Sequence, residues 1–103
     1  MSKNFGIGRA VEYLKSGYKV QRPSWNGAGM WIVMMDELKL PPYSTQDTSR
    51  KVNDRTAKHI GEDTEFHSMP YIAMWNAQGK WQPGWVCNQS DLLATDWQLV
   101  KET

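Results

Sequence analysis

The chain has 103 residues, 40% of them hydrophobic, which fits one compact domain with a modest core. Its 12 basic and 11 acidic residues give a formal net charge of +1, which argues against the concentrated basic face of a protein that binds a DNA or RNA polymer. Cys87 is the only cysteine, so an intrachain disulfide is excluded and a reducing cytoplasm is the expected compartment. The sequence shows neither the apolar core of a signal peptide nor a run near the roughly 18 apolar residues of a membrane span, so we expect no membrane partner.

The N-terminal third predicts a helix, a strand, a loop and a second strand. Residues 4–17 carry an apolar stripe at helical spacing, with Asn4 as the expected N-cap and Gly17 as the expected stop. Residues 18–22 alternate between apolar and polar side chains, as a strand does. The loop that follows contains the turn signal Asn26-Gly27, and Met30 to Met35 form a continuous apolar strand that we expect to be buried on both sides or against a partner chain.

The remaining two thirds predict a connector, a hairpin and a short C-terminal helix. Residues 36–68 are polar and form a variable connector or arm, with a short helix capped by Asn53 and stopped by Gly61. Residues 69–85 alternate and turn at Asn76 to Lys80, which predicts a β-hairpin. Ser90 is the expected N-cap of a helical turn, and residues 97–101 close the chain as a strand with Trp97 in the core. We therefore predict a single homo-oligomeric α+β domain over residues 1–103, with a mainly antiparallel sheet.

Catalytic and metal-binding signals are weak throughout. His59, His67 and Cys87 have no metal-ligand spacing, and the apolar run around Cys87 favours a buried, inert thiol. No nucleophile elbow, P-loop or dinucleotide fingerprint is present. We predict no catalytic residue, no metal and no cofactor.

Six tryptophans are more than so small a core requires, and three of them stand beside glycines and uncharged hydrogen-bonding groups. Indole faces stack on flat or sugar-like ligands, and amides read their polar edges. The residues themselves leave a nucleotide and a sugar as equal alternatives. The three segments are Trp25-Asn26-Gly27, Trp75-Asn76 with Gly79, and Gly84-Trp85 followed by Asn88, Gln89, Ser90 and Asp91.

Three stretches of the chain carry a family resemblance: WNGAGM, MPYIAMWNAQGKWQPGW and NQSDLLATDWQLV. The chain resembles a family of small phage proteins, the second type of Thoeris anti-defence protein. The resemblance covers nearly the whole chain. It implies a non-enzymatic sponge, assembled as a homotetramer in the cytoplasm of an infected bacterium, that sequesters the cyclic ADP-ribose signal of Thoeris. It also implies that some members hold cyclic dinucleotides, and that the sites lie between subunits.

Position by position, the resemblance indicates Trp25 and Asn26 in the first loop and Trp85, Gln89 and Asp91 in the last motif. The full ligand-binding hypothesis is Arg22 for phosphate charge, Trp25 and Trp85 as stacking walls, and Asn26, Gly27, Asn88, Gln89, Ser90 and Asp91 around them, with Trp75 and Met74 as further candidates. Asn88, Trp75 and Trp81 depart from the family's usual residues. Two alternatives stay open: a nucleotide-signal hydrolase using Asp91 or Asp96, and a structural or adaptor protein of the phage particle.

Overall fold

A computed structural model describes residues 4–101. The chain divides into two compact units, the second of which spans Asp36–Pro70. The first unit contains the described residues up to Met35 and those from Tyr71 onward. No helix among residues 4–101 is long and apolar enough to cross a lipid bilayer.

The first unit contains helix α1 (Ile7–Lys15), packed on one face of an antiparallel sheet. The helix begins later than the sequence predicted, and Gly6 rather than Asn4 occupies the N-cap position, without a side-chain cap. The reason is tertiary: Phe5 exchanges two backbone hydrogen bonds with Trp97, at 2.9 and 3.0 Å, so this part of the chain is extended. Gly17 follows the helix with a φ of 91°, which confirms its predicted role at the helix end.

The sheet has five strands in the order β6-β5-β2-β1-β7. All neighbouring strands are antiparallel, which confirms the predicted α+β class. The longest pairing joins β2 and β5 over five residue pairs, because both segments are apolar and β-branched or aromatic enough to form central strands. The strands are β1 (Val20–Gln21), β2 (Trp31–Met35), β5 (Tyr71–Trp75), β6 (Trp81–Pro83) and β7 (Gln98–Leu99).

The hydrophobic core lies between α1 and the sheet. Ala10 and Leu14 of the helix are buried against Val20, Ile32 and Met74, all on one sheet face. Trp97 is fully buried in this core, as predicted. Because side chains alternate along a strand, Trp31, Val33 and Met35 point to the opposite face. Burial of Met30 to Met35 on both sides within one chain is met only in part, since Met35 is exposed, and burial of this strand against a partner chain stays a prediction.

The second unit is structured rather than an irregular connector. Strands β3 (Leu38–Leu40) and β4 (Phe66–Ser68) pair as a two-stranded antiparallel sheet. Helix α2 (Asp54–Ile60) begins with the Asn53 side chain accepting a 2.8 Å hydrogen bond from the Thr56 backbone N–H, and ends at Gly61. Both predicted ends of this helix are confirmed. The assignment of all 103 residues to one domain remains a prediction.

Helix α3 (Gln89–Leu92) is the short C-terminal helix, and its N-cap is Asn88 rather than Ser90. The Asn88 side chain accepts a 2.8 Å hydrogen bond from the Asp91 backbone N–H. This shift of two residues places Asp91 in the third helical position, facing the interior.

Candidate functional site

One guanidinium and two carboxylates form the polar centre of the first unit, and we call Arg22, Asp91 and Asp96 the carboxylate clamp. Arg22 donates from Nε to Asp96 Oδ1 and from Nη1 to Asp91 Oδ1, both at 2.7 Å. Hydrogen bonds to Asp96 and then to Asp91 raise the pKa of Arg22. The formal charge of the clamp is +1 − 2 = −1, because one cation meets two carboxylates.

The clamp fixes the loop that follows β1. Ser24 Oγ donates to Asp96 Oδ2 at 2.7 Å, and the indole Nε1 of Trp25 donates to Asp91 Oδ1 at 2.8 Å. The hydrogen bond from Ser24, followed by that from Arg22, lowers the pKa of Asp96 against the opposing effect of burial. The Trp25 backbone N–H also bonds the Arg22 carbonyl at 3.1 Å, which closes the turn. The orientation of the Trp25 ring is therefore set by contacts inside the protein.

Helix α3 presents Asp91 to this loop. Asp91 is only 4% exposed, and its carbonyl accepts a 2.9 Å hydrogen bond from Trp97 Nε1. The side chain, the N–H and the carbonyl of Asp91 are thus all bonded within the chain. Such a buried carboxylate is stabilised by paired donors rather than by water.

Three indoles pack together beside the clamp. Trp25 and Trp85 lie with ring centroids 6.3 Å apart and planes tilted by 57°. Both meet the buried Trp97 edge to face, at 5.4 and 6.2 Å. Trp97 is the floor of the cluster, whereas Trp25 and Trp85 are half-buried and keep part of their surface accessible.

An apolar groove of about 360 Å³ is bordered by Trp85. Ile7, Val11 and Lys15 of α1 line one wall, and Cys87 and Leu92 lie on either side of the α3 start. The volume falls at the lower end of the roughly 300–1,000 Å³ range of small-molecule sites. Trp85 therefore connects the clamp to the groove.

Comparison with known proteins places this geometry in a family. Residues 5–100 match the Thoeris anti-defense 2-like domain. The chain belongs to the Thoeris anti-defense 2-like family. It is 28% identical to "Thoeris anti-defense 2" of Bacillus phage SP01 over 104 residues, covering 97% of this chain and 99% of the relative. The resemblance inferred from the three sequence stretches is thereby confirmed.

In this Thoeris anti-defense 2-like chain, four of the predicted ligand-binding residues lie in one place. Arg22, Trp25 and Asp91 are joined by hydrogen bonds, and Trp85 packs against Trp25. Arg22, expected to meet phosphate charge, is instead engaged with two carboxylates. Its side chain is 16% exposed.

The other predicted residues near the clamp are accessible. Asn26 and Gly27 lie in the exposed part of the first loop, where Gly27 has a φ of 118° that a residue with a side chain rarely adopts. Gln89 and Ser90 are exposed in the first turn of α3, and Asn88 uses its side-chain oxygen as the cap. These amides and hydroxyls are the polar groups of the motif that face solvent.

Trp75 lies apart from this cluster, whereas Met74 belongs to the buried core that contains Trp97 and against which Trp25 and Trp85 pack. Trp75 stacks on Trp31 with centroids 6.0 Å apart and planes 14° apart, and Trp81 meets Trp31 edge to face at 6.3 Å. Met74 points to the opposite sheet face and is 7% exposed in the core. The second tryptophan group therefore packs on the face of the sheet away from α1.

The sequence analysis missed Ser24 as a partner in this site and named Asp96 only in the hydrolase alternative. The pairs that link them to the clamp are separated by 72 and 74 residues, so local spacing carries no signal for them. The expected burial of Cys87 is wrong, because Cys87 is exposed. Partial desolvation, followed by the charge of Asp91, raises the pKa of Cys87, which disfavours the reactive thiolate.

No three His, Cys, Asp or Glu side chains between residues 4 and 101 are grouped so as to hold a metal ion.

Proposed function

We propose that this protein counters Thoeris defence during phage infection by binding the glycocyclic ADP-ribose signal and holding it without degradation. Membership in a Thoeris anti-defence family supports the anti-Thoeris role, and the relative from Bacillus phage SP01 carries the same name. Cyclic dinucleotides are a second ligand class with the same combination of flat bases, ribose hydroxyls and phosphates.

The observation that carries the proposal is the pair of half-buried indoles, Trp25 and Trp85, held rigidly above the buried Trp97. The N–H of Trp25 is already bonded to Asp91, so the indole offers a ligand its face rather than its donor. Stacking a base on such a face contributes roughly 1–3 kcal/mol. A ring fixed in advance loses little conformational freedom when the ligand binds, which favours tight binding.

Polar recognition falls to the exposed groups around the indoles. Asn26, Gln89 and Ser90 supply amides and a hydroxyl without net charge, and Asn88 retains its amide donors. Asp91, bonded to Arg22 and Trp25, acts by holding the stacking wall in position. In this proposal, neutral side chains contact the ligand, and the carboxylate clamp holds the Trp25 ring in place.

The arrangement favours retention of the ligand over its hydrolysis. The lowered pKa of Asp96 makes it a poor general acid, and Asp91 is occupied by hydrogen bonds from Arg22 and Trp25. A sponge must match its signal in amount and hold it with high affinity, and a nanomolar complex corresponds to about −12 kcal/mol.

We further propose that the protein acts as a homotetramer in the host cytoplasm, with subunits closing the sites. The groove beside Trp85 is open and apolar, and it supplies few groups for a ligand with several phosphate and ribose oxygens. A second copy can add polar contacts and enclose the ligand from the other side. Native mass spectrometry with and without glycocyclic ADP-ribose measures subunit number and ligand stoichiometry together.

The decisive experiment mixes the protein with a known excess of glycocyclic ADP-ribose, separates the complex and then denatures it. Recovery of intact ligand in a fixed ratio to protein supports sequestration. Consumption of ligand beyond the number of protein molecules, abolished in Asp91→Asn with binding retained, would establish the hydrolase instead. Absence of binding to any cyclic nucleotide, together with presence in purified virions, would establish a structural role.

A further inference from the structure

The apolar groove beside Trp85 has not yet been assigned to a particular part of the ligand. Its walls come from α1 and from the sheet, including Ile32 and Ile72. Among the described residues that line it, Lys15 is the one with a charged side chain. A groove that combines an apolar body, one aromatic wall and one cation is suited to a molecule with a flat apolar part and an adjacent anion.

Lys15 is a better partner for a phosphate than Arg22, because the two side chains differ in the charges around them. The guanidinium of Arg22 meets two carboxylates, and the clamp carries a formal −1, so a phosphate approaching it meets net repulsion. Lys15 stands in the last turn of α1, is exposed, and lines the groove itself. An ammonium group binds phosphate as a point charge and needs no fixed geometry.

The groove is also continuous with the candidate site. Trp85 borders the groove and packs against Trp25 of the clamp loop. Cys87 and Leu92, both groove-lining, flank the segment that carries Asn88, Gln89 and Ser90. The groove therefore borders the segment at which α3 begins.

We infer that this groove receives a nucleobase of the sequestered cyclic nucleotide against Trp85, and that the Lys15 ammonium contacts an adjoining phosphate. This inference rests on the proposed function, because it names the part of the protein that holds the signal. It assigns phosphate recognition to a residue outside the motifs of the sequence.

The chain offers two independent readouts for the groove. Lys15→Gln removes the cation, and Lys58→Gln is the matched control, since Lys58 is an exposed lysine in the last turn of α2. Cys87 is the only cysteine and is exposed at the groove, so its alkylation reports occupancy directly. Because the pKa of Cys87 is raised, alkylation is compared with and without ligand at one fixed alkaline pH.

Calorimetric titration with glycocyclic ADP-ribose should show about tenfold weaker binding for Lys15→Gln, the loss expected for one charge-assisted contact, with a smaller dependence on salt. Lys58→Gln should bind as the unmodified protein does. Saturating ligand should slow alkylation of Cys87 about tenfold or more.

Three results would overturn the inference in distinguishable ways. In the first, wild-type protein binds the ligand, but Cys87 is not protected and Lys15→Gln binds as tightly as wild type. The proposed sequestration then stands, and the ligand binds outside the groove. In the second, Cys87 becomes protected as the protein concentration rises and the ligand has no effect, which shows that a second copy of the chain covers the groove. Wild-type protein that binds no cyclic nucleotide removes the proposed function and the inference with it.

Discussion

Replacing Asp91 tests whether the carboxylate clamp stabilises the first unit. In Asp91→Ala the Trp25 indole N–H loses its acceptor, and Arg22 keeps only its bond to Asp96. Breaking a buried ion pair from one side costs about 3–5 kcal/mol. We expect about 3 kcal/mol here, at the lower end, because the Arg22 side chain is 16% exposed and retains its second partner.

Asp96→Ala is the matched comparison, since it removes the other carboxylate from the same guanidinium. The Asp96 side chain is 28% exposed and its second partner, Ser24, lies at the surface, so water replaces what is lost. We expect a cost of about 1 kcal/mol. Asp91→Asn keeps an acceptor oxygen for Trp25 but loses the charge, and should fall between the two.

Urea unfolding followed by far-UV circular dichroism, at one fixed protein concentration, measures these differences in the free energy of unfolding. The fixed concentration matters because association of subunits would add to the apparent stability. If Asp91→Ala and Asp96→Ala destabilise the protein equally, burial does not determine the strength of the clamp and the reasoning fails.

Three further predictions follow from the same unit. Gly27→Ala should destabilise the protein by about 1–3 kcal/mol, because φ is 118° and the new β-carbon would lie 2.7 Å from a neighbouring methyl group. Gly8→Ala, in open space on α1, should instead stabilise the protein by roughly 0.5–1 kcal/mol, and thermal unfolding compares the two variants. Because the pKa of Asp96 is lowered by folding, Asp96 contributes to the free energy of unfolding at neutral pH, and this contribution is lost as pH falls below roughly 4 through the folded pKa. The difference in stability between wild type and Asp96→Asn should therefore shrink on acidification. A difference that does not change with pH would contradict this. Trp85→Ala should weaken the binding of glycocyclic ADP-ribose by roughly 1–3 kcal/mol, whereas Trp81→Ala, on the other sheet face, should leave the affinity unchanged. Equal losses of affinity in the two variants, measured by calorimetry, would argue against stacking on Trp85.

Local patterns predicted the elements whose signals are contained within a few residues. Alternation and the turn at Asn76 to Lys80 predicted the β5–β6 hairpin, and Asn53 and Gly61 predicted both ends of α2. These signals succeed because the residues that cap or turn a segment lie next to it in the chain.

Errors arose where distant residues decide the local structure. Asn88 and Ser90 are equally good N-caps by propensity, and the choice of Asn88 accompanies the burial of Asp91 against Arg22. Asn4 lost its capping role because the chain beside it pairs with Trp97. The members of the clamp were recognisable as polar residues, but the contacts between them span 69 and 74 residues and have no local signature.

The edge strand β6 has a consequence for the protein's behaviour at high concentration. Just beyond its two ends, the N–H of Gly84 and the carbonyl of Lys80 bond toward the chain of β5, so the alternate residues Trp81 and Pro83 direct their backbone groups outward. Proline has no N–H to offer there, so a strand from another chain would lose one ladder hydrogen bond at Pro83. Sequestration, as proposed above, requires one binding site for each signal molecule and therefore a high protein concentration, and Pro83 opposes strand pairing at this edge under that condition.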